Sequence, residues 1–427
     1  MVRRRQRGAR SAARPNVAAY LRMLHEGLTR GLPASNDGTW FSRKDEGSLF
    51  LDAQEAAEHY RILDGLVRWA APKEDISRQS VSAFLNDAIF EALDLRRAST
   101  LPFDGRLKKA TRSLFVRLNT ASRPFKCWVP VEGLKVDGPQ ARFGGARFLS
   151  FGPSQIRAIA RARPLQSSTT WRHTVRFDEK DLVIGYTYAA VVVHARDANA
   201  ARRLATLRVR AVIDTLNFFT DLVPYCHAWL YLRGETANTH QVVLAQADDG
   251  ALGTSHEAIS PLGLVSWKAL RAERRLAPAL RLLGQFNRTP PAVEDFASAI
   301  LAGAQWAGRA TVARRREESF LLYAIALESM VLPTHDSQGS GFRLRLRVAH
   351  LLGRTKEGRD KLLKDVNVLY AKRSQIAHAG SYDVTEEDLS RIRSITKGML
   401  LRLASLKKLH NLTRQSFSEQ MDVALVE

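Results

Sequence analysis

Along most of the chain apolar residues return every three or four positions, the spacing that lays one face of a helix against a core. Val17, Leu21, Leu24 and Leu28 predict a first helix within 16–32, closed by Gly31 and Pro33. Pro33–Gly47, with Ser35-Asn36-Asp37-Gly38 inside it, reads as loop. Leu49–Ala71 and Ser80–Leu95 follow as amphipathic helices, the second through Val81, Phe84, Leu85, Ile89, Phe90 and Leu93. Past Pro124 the period changes. Phe125–Val131, Gly133–Val136 and Ala141–Phe151 are short apolar runs broken by Gly and Pro, the pattern of strands and tight turns. Asp181–His194 is the clearest strand, and further strands are predicted over Tyr225–Arg233 and His240–Gln246. Between them Asp197-Ala198-Asn199 opens a helix over Ala200–Phe219, with Leu204, Leu207, Val212, Leu216 and Phe219 on one side.

Helical spacing returns over Pro261–Leu283, and Gly284–Glu294, containing Asn287-Arg288-Thr289-Pro290-Pro291, reads as a linker. Five helices are then predicted: Phe296–Ala307, Thr311–Leu332, Phe342–Leu352, Gly358–His378 and Glu386–Leu409. The expected fold class is a multidomain α+β chain. Its parts are a disordered basic tail (1–16), a mainly helical N-terminal region (17–123), an α+β middle domain (124–285), an all-α helical bundle (286–412) and a C-terminal tail (413–427).

The most informative stretch lies in the fourth of those five helices. Val366, Leu369, Tyr370 and Ala377 form an apolar stripe, and Arg373 stands in it where another Leu is expected. A guanidinium does not shed its proton, so such a position requires an acidic partner, a bound anion or a wet cleft. His378 follows, just before Ala379-Gly380, where Gly can close the helix. An always-charged phosphate clamp and an imidazole that titrates near neutrality suit phosphodiester chemistry. On one regular helix, positions five apart differ in direction by about 140°, so these two side chains do not share a face. Upstream, Glu328 is the sole carboxylate in the apolar run Phe320–Leu332. It either pairs with Arg373 and orients it or faces solvent at the helix margin.

Composition narrows the partner. The 427 residues carry 65 basic against 43 acidic side chains, a net charge of +22, and the basic residues are mostly Arg, which grips phosphate in a bidentate way. A polyanion is expected, with nucleic acid ahead of anionic membrane; an arginine-rich genome is the bland alternative. Cys127 and Cys226 are the only cysteines and form no Cys-x-x-Cys pair, which argues against a disulfide framework or a Cys-ligated zinc and fits a reducing cytoplasm. The basic start, Met1–Arg7, lacks the apolar core of a signal peptide, and no apolar run reaches membrane-spanning length, so no membrane partner is expected. Gly353–Gly358 lacks the Lys-Ser/Thr of a phosphate-binding loop, and His335-Asp336 has no second cluster to make a metal site. No metal and no cofactor are expected.

Leu369-Tyr370-x2-Arg373-Ser374-x-Ile376-x-His378-x-Gly380, together with Ala326-Leu327-Glu328-Ser329 upstream, resembles the Arg-x4-6-His motif of HEPN domains, especially the Apea-like branch. The likeness covers about the last third of the chain. It implies a HEPN-like bundle that acts as a metal-independent endoribonuclease on RNA, with Arg373 and His378 catalytic. Glu328, Tyr370 and Ser374 would support them. It also implies a homodimer whose two motifs line one cleft, and a role as a phage-defence or toxin effector released by a phage or antitoxin trigger protein. The alternative is a bundle of the same type that binds RNA or protein without turnover.

Overall fold

The computed structural model describes residues 14–29, 39–43, 47–70, 75–94, 99–150, 187–220, 222–223, 230–232, 240–246, 252–258, 264–332, 340–379, 383–406, 408 and 411–424. The chain is a mixed α+β fold, mainly helical, and it divides into two compact units. Unit 1 comprises Met1–Cys127, Arg163–Arg176 and Val192–Ala205; unit 2 comprises Trp128–Ala162, Phe177–Val191 and Thr206–Glu427. The predicted middle domain, 124–285, is thus shared between the two, and the predicted bundle, 286–412, is grouped with most of it. The basic tail and the predicted strand Asp181–His194 lie partly, and His335-Asp336 wholly, outside the described residues; what is described of that strand forms β-structure over Thr187–Ala195.

Unit 1 is built on helices α1 (Val17–Thr29), α2 (Ala53–Ala70), α3 (Arg78–Leu93) and α4 (Phe103–Leu118). Their apolar stripes meet in one core that includes Leu21, Leu24, Ile62, Leu66, Leu85, Ile89 and Leu114. Ser77 caps α3 by accepting a hydrogen bond from the Ser80 N–H at 3.1 Å. A hairpin precedes α2: β1 (Thr39–Arg43) pairs antiparallel with β2 (Gly47–Leu51). It replaces part of the predicted loop Pro33–Gly47 and the first turn of the predicted helix Leu49–Ala71. Five-residue strands closed by a three-residue connection are too short for period counting to find among Asn, Asp and Gly. Arg196, after strand β7 (Thr187–Ala195), ties this unit together. Its guanidinium donates to the carbonyls of Ala70 and Leu118 and, at 2.7 Å, to Asp75.

A buried polar pair inside unit 1 makes its stability pH-dependent. Tyr20 Oη lies 2.8 Å from His59 Nδ1, and both residues are buried. Burial, then the nearby Glu55 and Glu58 carboxylates, keep the phenol protonated well above its ordinary range. Burial pushes the His59 imidazole down to about 4. Between the ordinary histidine value of about 6.5 and this lower one, the unfolded chain binds a proton that the folded chain refuses, so stability falls as pH drops through that window. The expected loss is about 3 kcal/mol across it, from ~1.4 kcal/mol per pH unit. Denaturant midpoints at pH 7 and pH 4.5 check this. The difference should shrink in His59→Gln, and an equal difference in both proteins removes His59 as its source.

Unit 2 carries a sheet of order β5-β6-β7-β3-β8, made of β3 (Arg123–Glu132), β5 (Ala141–Phe143), β6 (Ala146–Ser150), β7 and β8 (Tyr231–Leu232), while the short β4 (Leu134–Lys135) pairs outside it. β3 and β7 run on into unit 1. The turn joining β5 to β6 places Gly144 at φ +60° and Gly145 at φ +79°, the left-handed pair that a two-residue hairpin needs. Gly144 is demanded twice over, because a Cβ there would stand 2.7 Å from Asn287 and 2.9 Å from Val212. Of the predicted apolar face on helix α5 (Ala198–Thr220), Leu216 and Phe219 are fully buried while Leu207 is exposed. The buried row runs instead through Ala201, Ala205, Val209 and Val212.

The predicted linker Gly284–Glu294 is in part helix. After α6 (Trp267–Ala272), α7 spans Ala277–Arg288, and Phe286 and Asn287 are buried. Asn287 Nδ2 donates to Thr215 Oγ1 at 3.0 Å and to the Leu283 carbonyl at 2.9 Å, so an Asn that reads as a loop residue is a buried polar bolt between α5 and α7. The bundle follows as α8 (Phe296–Val312), α9 (Arg316–Val331), α10 (Ser340–Leu352), α11 (Lys356–Ala379) and α12 (Glu386–Ser405). These five match the five predicted helices. The predicted C-terminal tail, 413–427, is corrected to a helix, α13 (Arg414–Ala424), packed on α8. Its Phe417 ring stacks on Phe296 with centroids 3.8 Å apart, and the Arg414 N–H donates to the Glu294 carbonyl at 2.8 Å. Only Phe417 and Met421 are buried apolar positions on it, too few to register as a stripe.

Candidate functional site

The core face of α11 is carried by Val366, Leu369 and Ile376, all buried. Ile376 replaces the predicted Ala377, which is exposed because it falls in the last turn of the helix. Arg373 sits on that face, as its place in the stripe requires, and turns toward α9. Its Nη2 donates to Glu328 Oε2 at 3.1 Å, and its Nε stands 3.0 Å from Oε1 in a geometry too bent to count as a second hydrogen bond. Of the two placements open to Glu328, the pairing is the one observed. Arg373 also lies over the Tyr370 ring, 5.9 Å from its centroid, within the range where a cation is drawn to an aromatic face. Gly341 makes room for that ring, since a Cβ there would stand 2.7 Å from it.

Burial raises the Glu328 carboxyl above its ordinary value, and the Arg373 charge and hydrogen bond pull the other way. The pair is only partly covered: 30% of the Arg373 side chain and 19% of Glu328 remain exposed. Beneath them runs a narrow crevice lined by Leu327, Leu344, Val366 and Ile392, with about 10 Å³ of free volume, the space of one water. No nucleotide enters it, so a phosphate would meet Arg373 at the surface. The end of α11 is fixed from α12. Lys372 pairs with Asp388, which also accepts from the Thr385 hydroxyl at 2.7 Å within a capping box. Burial raises the Asp388 carboxyl, but Lys372 and Thr385 outweigh it and the net shift is downward.

The structure therefore brings Arg373, Glu328 and Tyr370 together. His378 is exposed, about 140° around α11 from Arg373 by helical geometry. Ser374 is half-buried one turn before His378, on that same side. Within one chain the imidazole and the guanidinium diverge.

A second arginine of the same kind escaped the sequence analysis. Arg347 on α10 is 0% exposed. It donates to the Val331 carbonyl at 2.6 Å, to Ser418 Oγ at 2.6 Å and to Asp422 at 2.8 Å, the last two on α13. Its signal was the one used for Arg373: it falls in the helical row of Leu344, Val348 and Leu351. The alternation Phe342-Arg343-Leu344-Arg345-Leu346-Arg347 hid it. An arginine in an apolar stripe thus marks an ion pair in both places, and the exposure of the guanidinium separates them. Arg347 is sealed, whereas Arg373 reaches the surface.

Among the described residues no three His, Cys, Asp or Glu side chains group as metal ligands, and no helix is long and apolar enough to cross a membrane. No family model, curated protein or solved structure matches the chain.

Proposed function

We propose that the C-terminal helical bundle is a metal-independent endoribonuclease that cleaves RNA by attack of a ribose 2′-hydroxyl on the adjoining phosphate. The observation that carries this reading is Arg373, steered by Glu328 yet 30% exposed, on the same helix as an exposed imidazole. The 2′-oxygen forms a bond to phosphorus and the bond to the 5′-oxygen breaks. One His378 takes the proton from the 2′-hydroxyl, and a protonated His378 gives one to the departing 5′-oxygen. Arg373 N–H groups hold the non-bridging oxygens as their charge grows. The products are a 2′,3′-cyclic phosphate and a 5′-hydroxyl, so RNA is cut and DNA is spared.

Because Arg373 and His378 diverge within one chain, the working site is placed across two copies of the bundle related by a two-fold axis. Tyr370 and Ser374 stand at its margins. A cytoplasmic phage-defence or toxin role, with residues 17–285 sensing a phage or antitoxin protein, rests on the HEPN-like motif. One observation favours the second reading, a bundle that binds RNA or protein without turnover: Glu328 already occupies the guanidinium that a phosphate would need.

Purified protein incubated with labelled structured RNA in EDTA tests the proposal. The expected result is cleavage with cyclic phosphate ends and no cutting of the DNA of the same sequence. RNA bound but intact supports the binding module instead, and cutting that stops in EDTA overturns the metal-independent chemistry.

A further inference from the structure

We infer that unit 1 carries a binding groove for single-stranded RNA, between α1 and α4. The groove has a volume of about 930 Å³. Its cations stand in two rows: Arg14 and Arg22 on one wall, Lys108 and Arg112, one turn apart on α4, on the other. The acid among the lining residues is Asp104, 3.8 Å from Arg22 in a pair whose side chains are 60% and 83% exposed. A pair so open to water is held weakly and releases Arg22 at little cost.

The floor between the rows is apolar. Val116 is 64% exposed there, and the exposed Arg14 guanidinium lies flat over the buried Phe115 ring, 3.4 Å from its centre, which leaves the outer face of the guanidinium as the planar platform. Parallel rows of cations over a floor that accepts planar faces are what a single strand asks for: phosphates along the edges, bases on the floor.

The residues before the groove do not supply its anion. Residues 1–13 hold five arginines and no carboxylate. An anionic membrane or an acidic peptide would satisfy the charge but gives the guanidinium platform no planar partner. The choice of RNA among polyanions rests on the nuclease reading of the bundle.

The test measures fluorescence anisotropy of a labelled oligouridylate against the full chain carrying His378→Ala, so that no cleavage intervenes. Arg22→Glu, Lys108→Glu and Arg112→Glu are combined; all three side chains are exposed, so the fold should stand, as circular dichroism will verify. Affinity is expected to fall at least tenfold, and the slope of log affinity against log salt to flatten by about 2, at ~0.7 per released contact on a single strand. Arg271→Glu, Arg274→Glu and Arg275→Glu together, exposed residues of unit 2, change the net charge equally and should leave most of the affinity. Equal losses from both triples, unchanged binding by the groove triple, or no binding by the parent at low salt each overturn the proposal. So does tighter binding to phosphatidylserine vesicles or polyglutamate than to RNA. Groove-dependent binding in a protein that never cuts RNA sinks the nuclease reading alone.

Discussion

Replacing His378 with alanine is expected to reduce RNA cleavage by about two to four orders of magnitude, the range that a positioned acid or base contributes. The substitution is clean because the side chain is exposed: stability should stay within about 0.5 kcal/mol of the parent. Arg373→Ala is a poorer test. It strands Glu328, whose carboxyl burial already disfavours as an ion, and so mixes lost activity with lost packing. RNA affinity measured alongside cleavage separates the two readings of the bundle. Cleavage lost with binding kept identifies His378 as the proton carrier. Cleavage by His378→Ala at the rate of the parent protein removes it from the mechanism, and with it the proposed reaction.

Gly308→Ala is expected to lower the stability of unit 2 by more than about 3 kcal/mol, on the order of 10 °C in melting temperature for a unit of this size. A Cβ at Gly308 would stand 1.6 Å from the Asp214 carbonyl oxygen and 3.1 Å from the Phe218 amide nitrogen. Both are backbone, so nothing can rotate aside, and α5 must draw back from α8. That retreat also strains the neighbouring ion pair, in which Arg309 Nε donates to Asp214 Oδ2 at 2.6 Å. Burial raises the Asp214 carboxyl above its ordinary value even with Arg309 in place, so the lost partner adds to the cost. The internal control is Gly398→Ala on α12, where the nearest atom to a new Cβ is 3.7 Å away. That exchange should be neutral or stabilising by up to about 1 kcal/mol. Melting curves of the two variants give the answer, and a Gly308→Ala protein that melts with the parent refutes the close-packing account.

Most helices with long, regular stripes were legible in the sequence, although α4, which buries Leu107, Ala110, Leu114 and Leu118, was not predicted. All five helices of the bundle were found, because each carries apolar side chains at helical spacing, even α10, whose buried ones are Leu344, Val348 and Ala349. What otherwise escaped were elements stabilised by few residues or by distant partners. The hairpin of β1 and β2 is too short to show a period, and α13 buries little beyond Phe417 and Met421. The Asn287 segment shows Asn, Arg and two prolines to the reader, while its place depends on Thr215, far away in the chain. For the site, Arg373 announced itself by interrupting a stripe, and Glu328 by standing alone in an apolar helix; their pairing follows from those two anomalies. The divergence of His378 follows from helical geometry. Arg347 carried the same anomaly and was overlooked because alternating arginines mimic a strand.

The sealed position of Arg347 has a consequence for how this chain selects one structure. Leucine-rich helices are permissive neighbours: an amphipathic segment can settle on them shifted by a turn and still bury its two large side chains. A guanidinium cannot be left in such a place without acceptors, so only the alignment that presents Ser418 and Asp422 to it is tolerated. Arg347 thus acts as a password for α13, excluding wrong alignments more than it strengthens the right one. A designer who exchanged the three for well-packed apolar side chains would gain heat tolerance and give up that discrimination.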